Sequence, residues 1–364
     1  MGRWLEWLQR ERGVVLEDYD AAWRWSTSDP EAFWASIWAY YDVRSTTGVG
    51  RTLEGSGIAD ARWFPGTTVN YAEHALRLTG RADSDPVILA YSQTRAPLTV
   101  TAAGLRDQVA RVRAGLVALG VKPGDRVAGY LSNIPETIVA FLATVGIGAI
   151  WSSCSPEMGV RSVVERFGQI EPTVLLTVDG YRYGAKSIDR VEEIAAIRAA
   201  LPSLRRVVVV PHLDERHDRI PDALSWADLL GHEPSVAARP VPFDHPLAIL
   251  FSSGTTGPPK AIVHGHGGIL LEHLKLLGLH TDLGPGDRFF WLTTTSWMMW
   301  NYLVSGLLVG STVVLFDGDP GSPDMGALWD LAATSGTTYF GAGAPFFMAC
   351  RKAGLEPRGV YDLS

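Results

Sequence analysis

Residues 247–266 read LAILFSSGTTGPPKAIVHGH, an apolar run that leads into a loop rich in glycine and hydroxyl groups. The run 247–251 predicts a strand that is covered on both faces. Pro258 and Pro259 prevent a helix from starting directly after the loop. Residues 261–263 are apolar and predict a second strand. The pattern is therefore strand–loop–strand, which differs from the Walker A pattern, where a Ser or Thr follows the lysine and a helix begins.

The loop carries the groups that a chain of phosphates needs. Its two glycines allow positive φ angles and a close approach of the backbone, so that amide groups can converge on one small volume. Its hydroxyl groups are further donors, and its lysine supplies a compact positive charge. A flexible surface turn has a similar composition, but the buried strand and the fixed spacing to the lysine favour phosphate binding. The predicted nucleotide-binding residues are Ser252, Ser253, Gly254, Thr255, Thr256, Gly257 and Lys260.

Outward from this loop, predicted strands and helices alternate from about residue 86 onward. Residues 86–92 form an apolar strand pattern, residues 101–120 carry a helical apolar stripe, and Pro135 opens a further helix. Several strands are continuous apolar runs, which indicates a mostly parallel sheet covered by helices. The predicted fold class is α/β. The predicted domains are a first α/β subdomain at 86–260, which ends in the phosphate loop, and a second, partial one at 261–364 that shares strands with 86–130.

Residues 1–85 differ from the rest in their tryptophan content and are predicted to be an extension that packs aromatic anchors on a larger body. An aromatic ligand cage is the alternative. The tryptophans are Trp4, Trp7, Trp23, Trp25, Trp34, Trp38 and Trp63.

Charge and hydropathy exclude several classes of protein. The net charge of −7 lacks the basic footprint of a nucleic-acid binder. The most apolar stretch, 300–316, is shorter than a spanning helix and contains Gly306 and Gly310, so a buried helix followed by a buried strand is predicted rather than a membrane segment. The N-terminal residues carry charges and do not resemble a secretory signal. Two cysteines, Cys154 and Cys350, fit buried thiols in a reducing cytoplasm.

The segment FSSGTTGPPK resembles the signature loop of the adenylate-forming superfamily, which includes acyl-CoA synthetases, luciferases and the adenylation domains of peptide synthetases. The resemblance continues in residues 98–120, in GVKPGDRV and in FLATVGIGAIWSSCSPE, and so covers the chain after about residue 85. The tryptophan-rich start, with PEAFW and FPGTTVNYAEH, is similar to the extension of the acetyl- and acetoacetyl-CoA synthetase branch. The resemblance implies the large N-terminal domain of this fold, with two α/β subdomains and mostly parallel sheets.

Residues 289–310, FFWLTTTSWMMWNYLVSGLLVG, align with the acyl pocket of that branch. Trp297 matches the pocket tryptophan, although Ser296 stands where the acetyl enzymes have glycine. The residues after Trp297 and the segment 340–354 resemble the acetoacetyl branch more closely. Asn301 or Thr295 could hydrogen-bond a keto oxygen. The predicted acid-binding residues are Trp297, Trp300, Asn301 and Gly341.

The alternative is that Met298, Met299 and Trp300 are core residues on one face of a helix. His264 and His266 are more simply explained as structural or solvent-facing imidazoles, because no Cys, Asp or Glu accompanies them at the spacing of metal ligands. No metal ligand is predicted in this chain.

The chemistry that the resemblance implies uses ATP, Mg²⁺ and coenzyme A to convert a small carboxylic acid, acetoacetate in particular, into a CoA thioester. Lys260 and Thr256 are the predicted catalytic residues. The resemblance also implies that further nucleotide-binding segments and a mobile lobe follow residue 364, so the chain is expected to be incomplete and inactive alone. Alternatives are an acetyl- or propionyl-CoA synthetase and a non-catalytic nucleotide-binding fragment. A dinucleotide-dependent oxidoreductase is disfavoured, because no G-x-G-x-x-G follows a strand.

Overall fold

The computed structural model describes residues 1–55, 57–214, 219–234, 237–252 and 257–363. Strands and helices alternate there from residue 86, which confirms the α/β class. The helices are α1 (Gly2–Arg12), α2 (Tyr19–Ser28), α3 (Pro30–Tyr40), α4 (Tyr71–Arg77), α5 (Ala102–Ala118), α6 (Pro135–Ile147), α7 (Val160–Ile170), α8 (Val191–Ala200), α9 (Trp226–Leu230), α10 (His266–Lys275), α11 (Met298–Val304), α12 (Ala327–Ser335) and α13 (Ala344–Lys352). The strands are β1 (Leu53–Glu54), β2 (Arg62–Trp63), β3 (Thr68–Val69), β4 (Pro86–Ser92), β5 (Leu98–Thr101), β6 (Arg126–Tyr130), β7 (Ile150–Cys154), β8 (Val174–Val178), β9 (Gly180–Tyr183), β10 (Lys186–Asp189), β11 (Arg206–Val210), β12 (Leu224–Ser225), β13 (Val241–Pro242), β14 (Pro246–Ser252), β15 (Lys260–Gly265), β16 (Arg288–Trp291), β17 (Thr312–Asp317) and β18 (Tyr339–Gly341).

The first large sheet has seven strands in the order β12-β11-β8-β6-β7-β14-β15. All neighbours are parallel except β14 and β15, which pair antiparallel as a hairpin. Its central strands are apolar and buried along their length, as the continuous runs predict; every residue of β8 is buried. The predicted strand–loop–strand is therefore confirmed as far as its two strands go.

The second large sheet has five strands in the order β18-β16-β17-β4-β5. Neighbours are parallel except β4 and β5. Strands β4 and β5 come from residues 86–101, so the N-terminal side of the chain contributes the edge of this sheet. The division of the chain into subdomains at residue 260 stays a prediction.

Helix α6 holds the two sheets together. Pro135 starts it, as predicted, and every residue from Thr137 to Ile147 is buried. One hydrophobic cluster contains α6, Val127 of the first sheet and Val313 of the second. A helix that is apolar all round is one that is enclosed on all sides. The two sheets thus share a core, and their relative position is fixed on this side of the molecule.

The tryptophan-rich segment packs on the same core. Trp4 is 1% exposed and Trp38 stacks on Phe64 with ring centroids 4.7 Å apart. Both tryptophans belong to the hydrophobic cluster that contains α6.

The richness of residues 211–245 in His, Asp, Glu and Pro favours a surface excursion. The structure corrects this interpretation: the described part of the segment contains β12 and α9, where a Ser225–Asp228 capping box begins a helix that buries Trp226 and Leu229. A five-residue helix is too short to show a helical period. The stretch 300–316, by contrast, forms the predicted helix and strand, within α11 and β17. Among the described residues, no helix combines the length and the apolar character needed to cross a membrane.

Candidate functional site

An open cleft of about 770 Å³ lies where the carboxyl ends of strands from both sheets meet. The first sheet contributes residues that follow β6 and β7, and the second contributes residues that follow β16 and β17. Ligands of open α/β sheets bind at this kind of position, outside the carboxyl ends of the strands. The lining residues are Ser132, Asn133, Ser155, Pro156, Glu157, Tyr183, Trp291, Leu292, Thr293, Thr294, Thr295, Trp297, Met298, Met299, Phe316, Asp317, Gly318, Pro320, Gly343 and Pro345.

The segment 293–297 is fastened to the first sheet by side-chain hydrogen bonds. Thr295 is 2% exposed, and its hydroxyl donates to the carbonyl of Leu131 at 2.8 Å. The hydroxyl of Ser296 accepts from the backbone N–H of Ser155 at 2.6 Å. A glycine at position 296 would have no such acceptor. The serine therefore anchors the segment from which Trp297 projects.

The structure separates the two predicted pocket tryptophans. Trp297 is 65% exposed and lines the cleft, whereas Trp300 is fully buried behind it. The indole N–H of Trp300 donates to Oδ1 of Asn133 at 3.0 Å, and Asn133 lines the cleft. Trp300 thus lies in the core, as the alternative interpretation predicts, and supports the wall of the cleft through Asn133.

Asn301 and Gly341 lie behind the cleft lining as well. Asn301 is buried in α11, and its backbone carbonyl accepts from the hydroxyl of Ser305 at 2.8 Å. Gly341 is buried in β18 and pairs with Trp291 of β16. Trp291 itself lines the cleft. Neither Asn301 nor Gly341 is among the residues that line it.

Ser253, Gly254, Thr255 and Thr256 lie outside the described residues, but the two ends of the loop are placed. Ser252 ends β14 and Lys260 begins β15, and the two residues pair across the hairpin. Gly257, Pro258 and Lys260 are exposed. Because β14 runs parallel to β7, the loop leaves the sheet at the same edge from which residues 155–157 enter the cleft lining.

Two acidic residues of the cleft were not predicted as site residues. Burial alone would raise the pKa of the Asp317 carboxyl, but the hydrogen bond and charge of His212, followed by hydrogen bonds from Ser132 and Ser92, outweigh that effect and hold the pKa below its ordinary value. Desolvation, and then the charge of Asp317, raise the pKa of Glu157. The sequence signal for Asp317 is a polar residue at the end of an apolar run, but the segment DGDP at 317–320 is equally typical of a turn.

The other groups considered in the sequence, His266 and the two cysteines, are structural. His266 begins α10, is fully buried, and its Nδ1 accepts from the backbone N–H of Tyr71 at 3.1 Å. Burial and the nearby His245 lower the pKa of His266 to about 3. Cys154 and Cys350 are both buried and free, as predicted, and burial raises the pKa of the Cys154 thiol to about 12. Within the described ranges, no three His, Cys, Asp or Glu residues stand together as a metal site.

Replacing Gly341 by alanine is expected to destabilise the protein by about 1–3 kcal/mol, because overpacking a filled core has this cost. A Cβ at Gly341 would lie 2.0 Å from the indole of Trp291. Urea unfolding measures the effect. Gly343→Ala is the matched control, since its Cβ would lie 3.5 Å from the ring of Pro345, an ordinary contact distance. Equal midpoints for Gly341→Ala and the wild type would contradict this packing.

Comparison with known proteins agrees with the geometry. The model of the AMP-binding enzyme family matches residues 79–364, and that of the acetyl-coenzyme A synthetase N-terminus matches residues 19–75. The acetoacetyl-coenzyme A synthetase of Rhizobium meliloti (strain 1021) is 40% identical, over 100% of this chain and 56% of the relative. The acetoacetyl-CoA synthetase of Danio rerio is 38% identical, over 98% of this chain and 54% of the relative.

A solved structure, that of the acetoacetyl-CoA synthetase from Streptomyces lividans, matches with a TM-score of 0.95 and 51% identity, over 99% of this chain and 56% of that chain. The chain thus spans about half the length of these relatives. The resemblance to the adenylate-forming superfamily is confirmed, and so is the predicted fold. Because the family model covers most of its residues, the chain belongs to the family of AMP-binding enzymes.

Proposed function

We propose that this chain forms the acid- and nucleotide-binding part of an AMP-forming acyl-CoA synthetase that activates acetoacetate. In the first step a carboxylate oxygen attacks the α-phosphorus of ATP, the bond to the β-phosphate breaks, and pyrophosphate leaves. In the second step the sulfur of coenzyme A attacks the acyl carbon, the thiol loses its proton, and AMP leaves. The protein's task is to align these groups and to stabilise the negative charge that develops.

The observation that carries the proposal is the position of the cleft. It opens at the sheet edge where the loop after Ser252 emerges, and the tryptophan matched to the acid pocket, Trp297, lines it. An acid in the cleft and phosphates at the loop would then meet at one edge of the first sheet. The relatives from Rhizobium meliloti, Danio rerio and Streptomyces lividans are acetoacetyl-CoA synthetases, which favours acetoacetate.

Each predicted site residue has a role in this proposal. The loop amides and hydroxyls of Ser252, Ser253, Gly254, Thr255, Thr256 and Gly257, together with Lys260, hold the phosphates. Among them, Thr256 and Lys260 stabilise the departing pyrophosphate. Trp297 closes the acid pocket with Met298 and Met299. Trp300, Asn301 and Gly341 shape that pocket from behind, through Asn133 and Trp291.

Mg²⁺ belongs to the chemistry that the resemblance implies, and proteins usually hold it with one or two carboxylates together with substrate phosphates. Among the described residues, no three His, Cys, Asp or Glu side chains stand together as an all-protein metal site. A cytoplasmic location is also part of the proposal; the two buried, unpaired cysteines fit a reducing compartment.

Isothermal titration calorimetry of the 364-residue chain with non-hydrolysable acyl-AMP analogues tests the proposal. We expect the acetoacetyl analogue to bind about 10-fold more tightly than the acetyl analogue, since one buried keto group and a methylene give discrimination of this order. Binding rather than turnover is measured, because binding reports directly on the cleft and the loop. No binding of any analogue would overturn the nucleotide site.

An acetyl- or propionyl-CoA synthetase is the second candidate, and the match of residues 19–75 to the acetyl-coenzyme A synthetase N-terminus favours it. Tighter binding of the acetyl or propionyl analogue than of the acetoacetyl analogue would select this candidate.

The two tryptophans are expected to respond differently to truncation. Trp300→Ala removes a fully buried side chain, and we expect a loss of about 3–5 kcal/mol of stability. Trp297→Ala removes an exposed side chain, and we expect a stability change within about 0.5 kcal/mol but clearly weaker binding of the acetoacetyl analogue. Chemical unfolding and calorimetry on both variants check this. Unchanged affinity in Trp297→Ala would remove Trp297 from the acid pocket.

A further inference from the structure

A buried carboxylate stands at the junction of the two large sheets. Asp317 ends β17 of the second sheet, lines the cleft and is 8% exposed. Its Oδ2 accepts from Nε2 of His212 at 2.9 Å, from the hydroxyl of Ser92 at 3.0 Å and from that of Thr94 at 3.3 Å. We call Ser92, Thr94, His212 and Asp317 the inter-sheet clasp.

His212 reaches Asp317 from the first sheet. It lies two residues after the end of β11, and its side chain is fully enclosed. Its backbone N–H donates to Oδ1 of Asp179 at 2.8 Å, and Asp179 directly follows β8. Because a carboxylate only accepts, Nε2 of His212 carries the hydrogen. The bond between His212 and Asp317 therefore links two rigid frames, one in each sheet.

The segment that follows β4 adds further links between the same parts. Besides its bond to Asp317, the hydroxyl of Thr94 accepts from the backbone N–H of Arg182 in the hairpin β9–β10 at 2.9 Å. The side-chain carbonyl of Gln93 accepts from the backbone N–H of Gly184 at 2.9 Å. Tyr183, between these two residues, lines the cleft. Thr94 of the inter-sheet clasp and the neighbouring Gln93 thus bind the residues on both sides of Tyr183, which belongs to the wall of the cleft.

The width of the cleft depends on the separation of the sheets, because each sheet provides a different wall. A buried carboxylate that loses a donor keeps a large desolvation penalty, and the surrounding structure moves to recover a partner or water. We propose that His212 and Asp317 are positioning residues, whose hydrogen bond fixes the separation of the two sheets at the cleft. This inference rests on the function proposed above in so far as the cleft holds the acyl-adenylate.

His212→Leu and His212→Gln are the variants that test the clasp. Leucine removes the donor, whereas the amide of glutamine can donate from nearly the position of Nε2. We expect the affinity for the acetoacetyl-AMP analogue to fall about 10-fold in His212→Leu and to stay within about 2-fold in His212→Gln, since a hydrogen bond to a buried charge is worth this much. If the loss of affinity in His212→Leu came only from altered packing, the donor in His212→Gln would not restore the affinity. Should His212→Leu not fold, Thr94→Val removes a weaker donor with little change of shape.

A second readout does not depend on any ligand. Spin labels at Glu192→Cys on α8 and Arg351→Cys on α13 report the distance between the sheets, because both residues are exposed and their helices pack on the first and second sheet respectively. We expect a broader distance distribution in His212→Leu and the wild-type distribution in His212→Gln. Unchanged distances in His212→Leu would overturn the clasp. Wild-type protein that binds no analogue would overturn the proposed function, while the distances would still decide on the clasp.

Discussion

Replacing Lys260 by alanine is expected to weaken the binding of ATP to this chain about 10- to 100-fold, because a hydrogen-bonded charge contact to phosphate is worth this much. Lys260 is exposed at the start of β15, opposite Ser252, where the glycine-rich loop closes. An ammonium group at this position can reach a phosphate held by the loop. The wild-type affinity should fall with ionic strength, and that of the variant should fall less.

Lys122→Ala is the matched control for that experiment. Lys122 is also exposed, but it precedes β6 and therefore lies at the opposite edge of the same sheet. Its removal changes the net charge equally without touching the loop. Calorimetry or a filter-binding titration measures both variants. Equal affinities in the wild type and Lys260→Ala, or equal losses in the two variants, would show that the loop does not hold the phosphates through Lys260.

Acidification from pH 8 to pH 5 is expected to remove about 4 kcal/mol of stability, about 2 kcal/mol for each of two buried histidines. Burial, with a smaller effect of His245, lowers the pKa of His266 from 6.5 to about 3, and burial, with a smaller effect of His264, lowers that of His273 to about 4. Below pH 6.5 these two histidines therefore bind protons in the unfolded chain but stay neutral in the folded chain. The stability contributed by the two neutral histidines is complete above pH 6.5. It is lost as the pH falls toward their pKa values in the folded state, about 3 and about 4.

The double variant His266→Asn/His273→Asn tests the origin of this slope. Asparagine keeps a polar atom near the position of Nδ1, which contacts the backbone N–H of Tyr71 in one case and the hydroxyl of Ser305 in the other. The variant starts from a lower stability, but its free energy of unfolding should change much less between pH 8 and pH 5. Urea unfolding at several pH values measures both slopes. Parallel slopes would assign the acid sensitivity to other groups.

Local structure could be predicted from the sequence where the signal is itself local. The apolar run of β4 gives its bounds, Pro86–Ser92, and Pro135 gives the start of α6. The hydroxyl of Thr101 accepts from the backbone N–H of Gly104 at 3.1 Å and so begins α5. The leucine stripe of α10 is buried as its spacing predicts, at Leu270, Leu271 and Leu274. These features depend on neighbours within a few residues.

Features that depend on distant parts of the chain could not be predicted. Residues 86–92 do not show which later strand is the partner of β4; in the structure it is β17, more than 200 residues later. Trp297 and Trp300 belong to one short segment, yet one is exposed and the other buried, because the packing of α11 decides which side faces the core. The bond between His212 and Asp317 joins two different sheets across 105 positions of the chain. A sequence pattern indicates which face of a helix or strand is buried, but not which other element packs against that face.

Hydrogen exchange of the chain with and without the acetoacetyl-AMP analogue tests most directly whether this cleft is the binding site. The account predicts slower exchange in three segments that line the cleft, at residues 132–133, 155–157 and 293–297, and in the loop that connects β14 to β15. A separate cavity of about 370 Å³ lies between residues 61–68 and 242–244. Protection that appears at that second cavity, or no protection at the cleft under saturating analogue, would contradict the account.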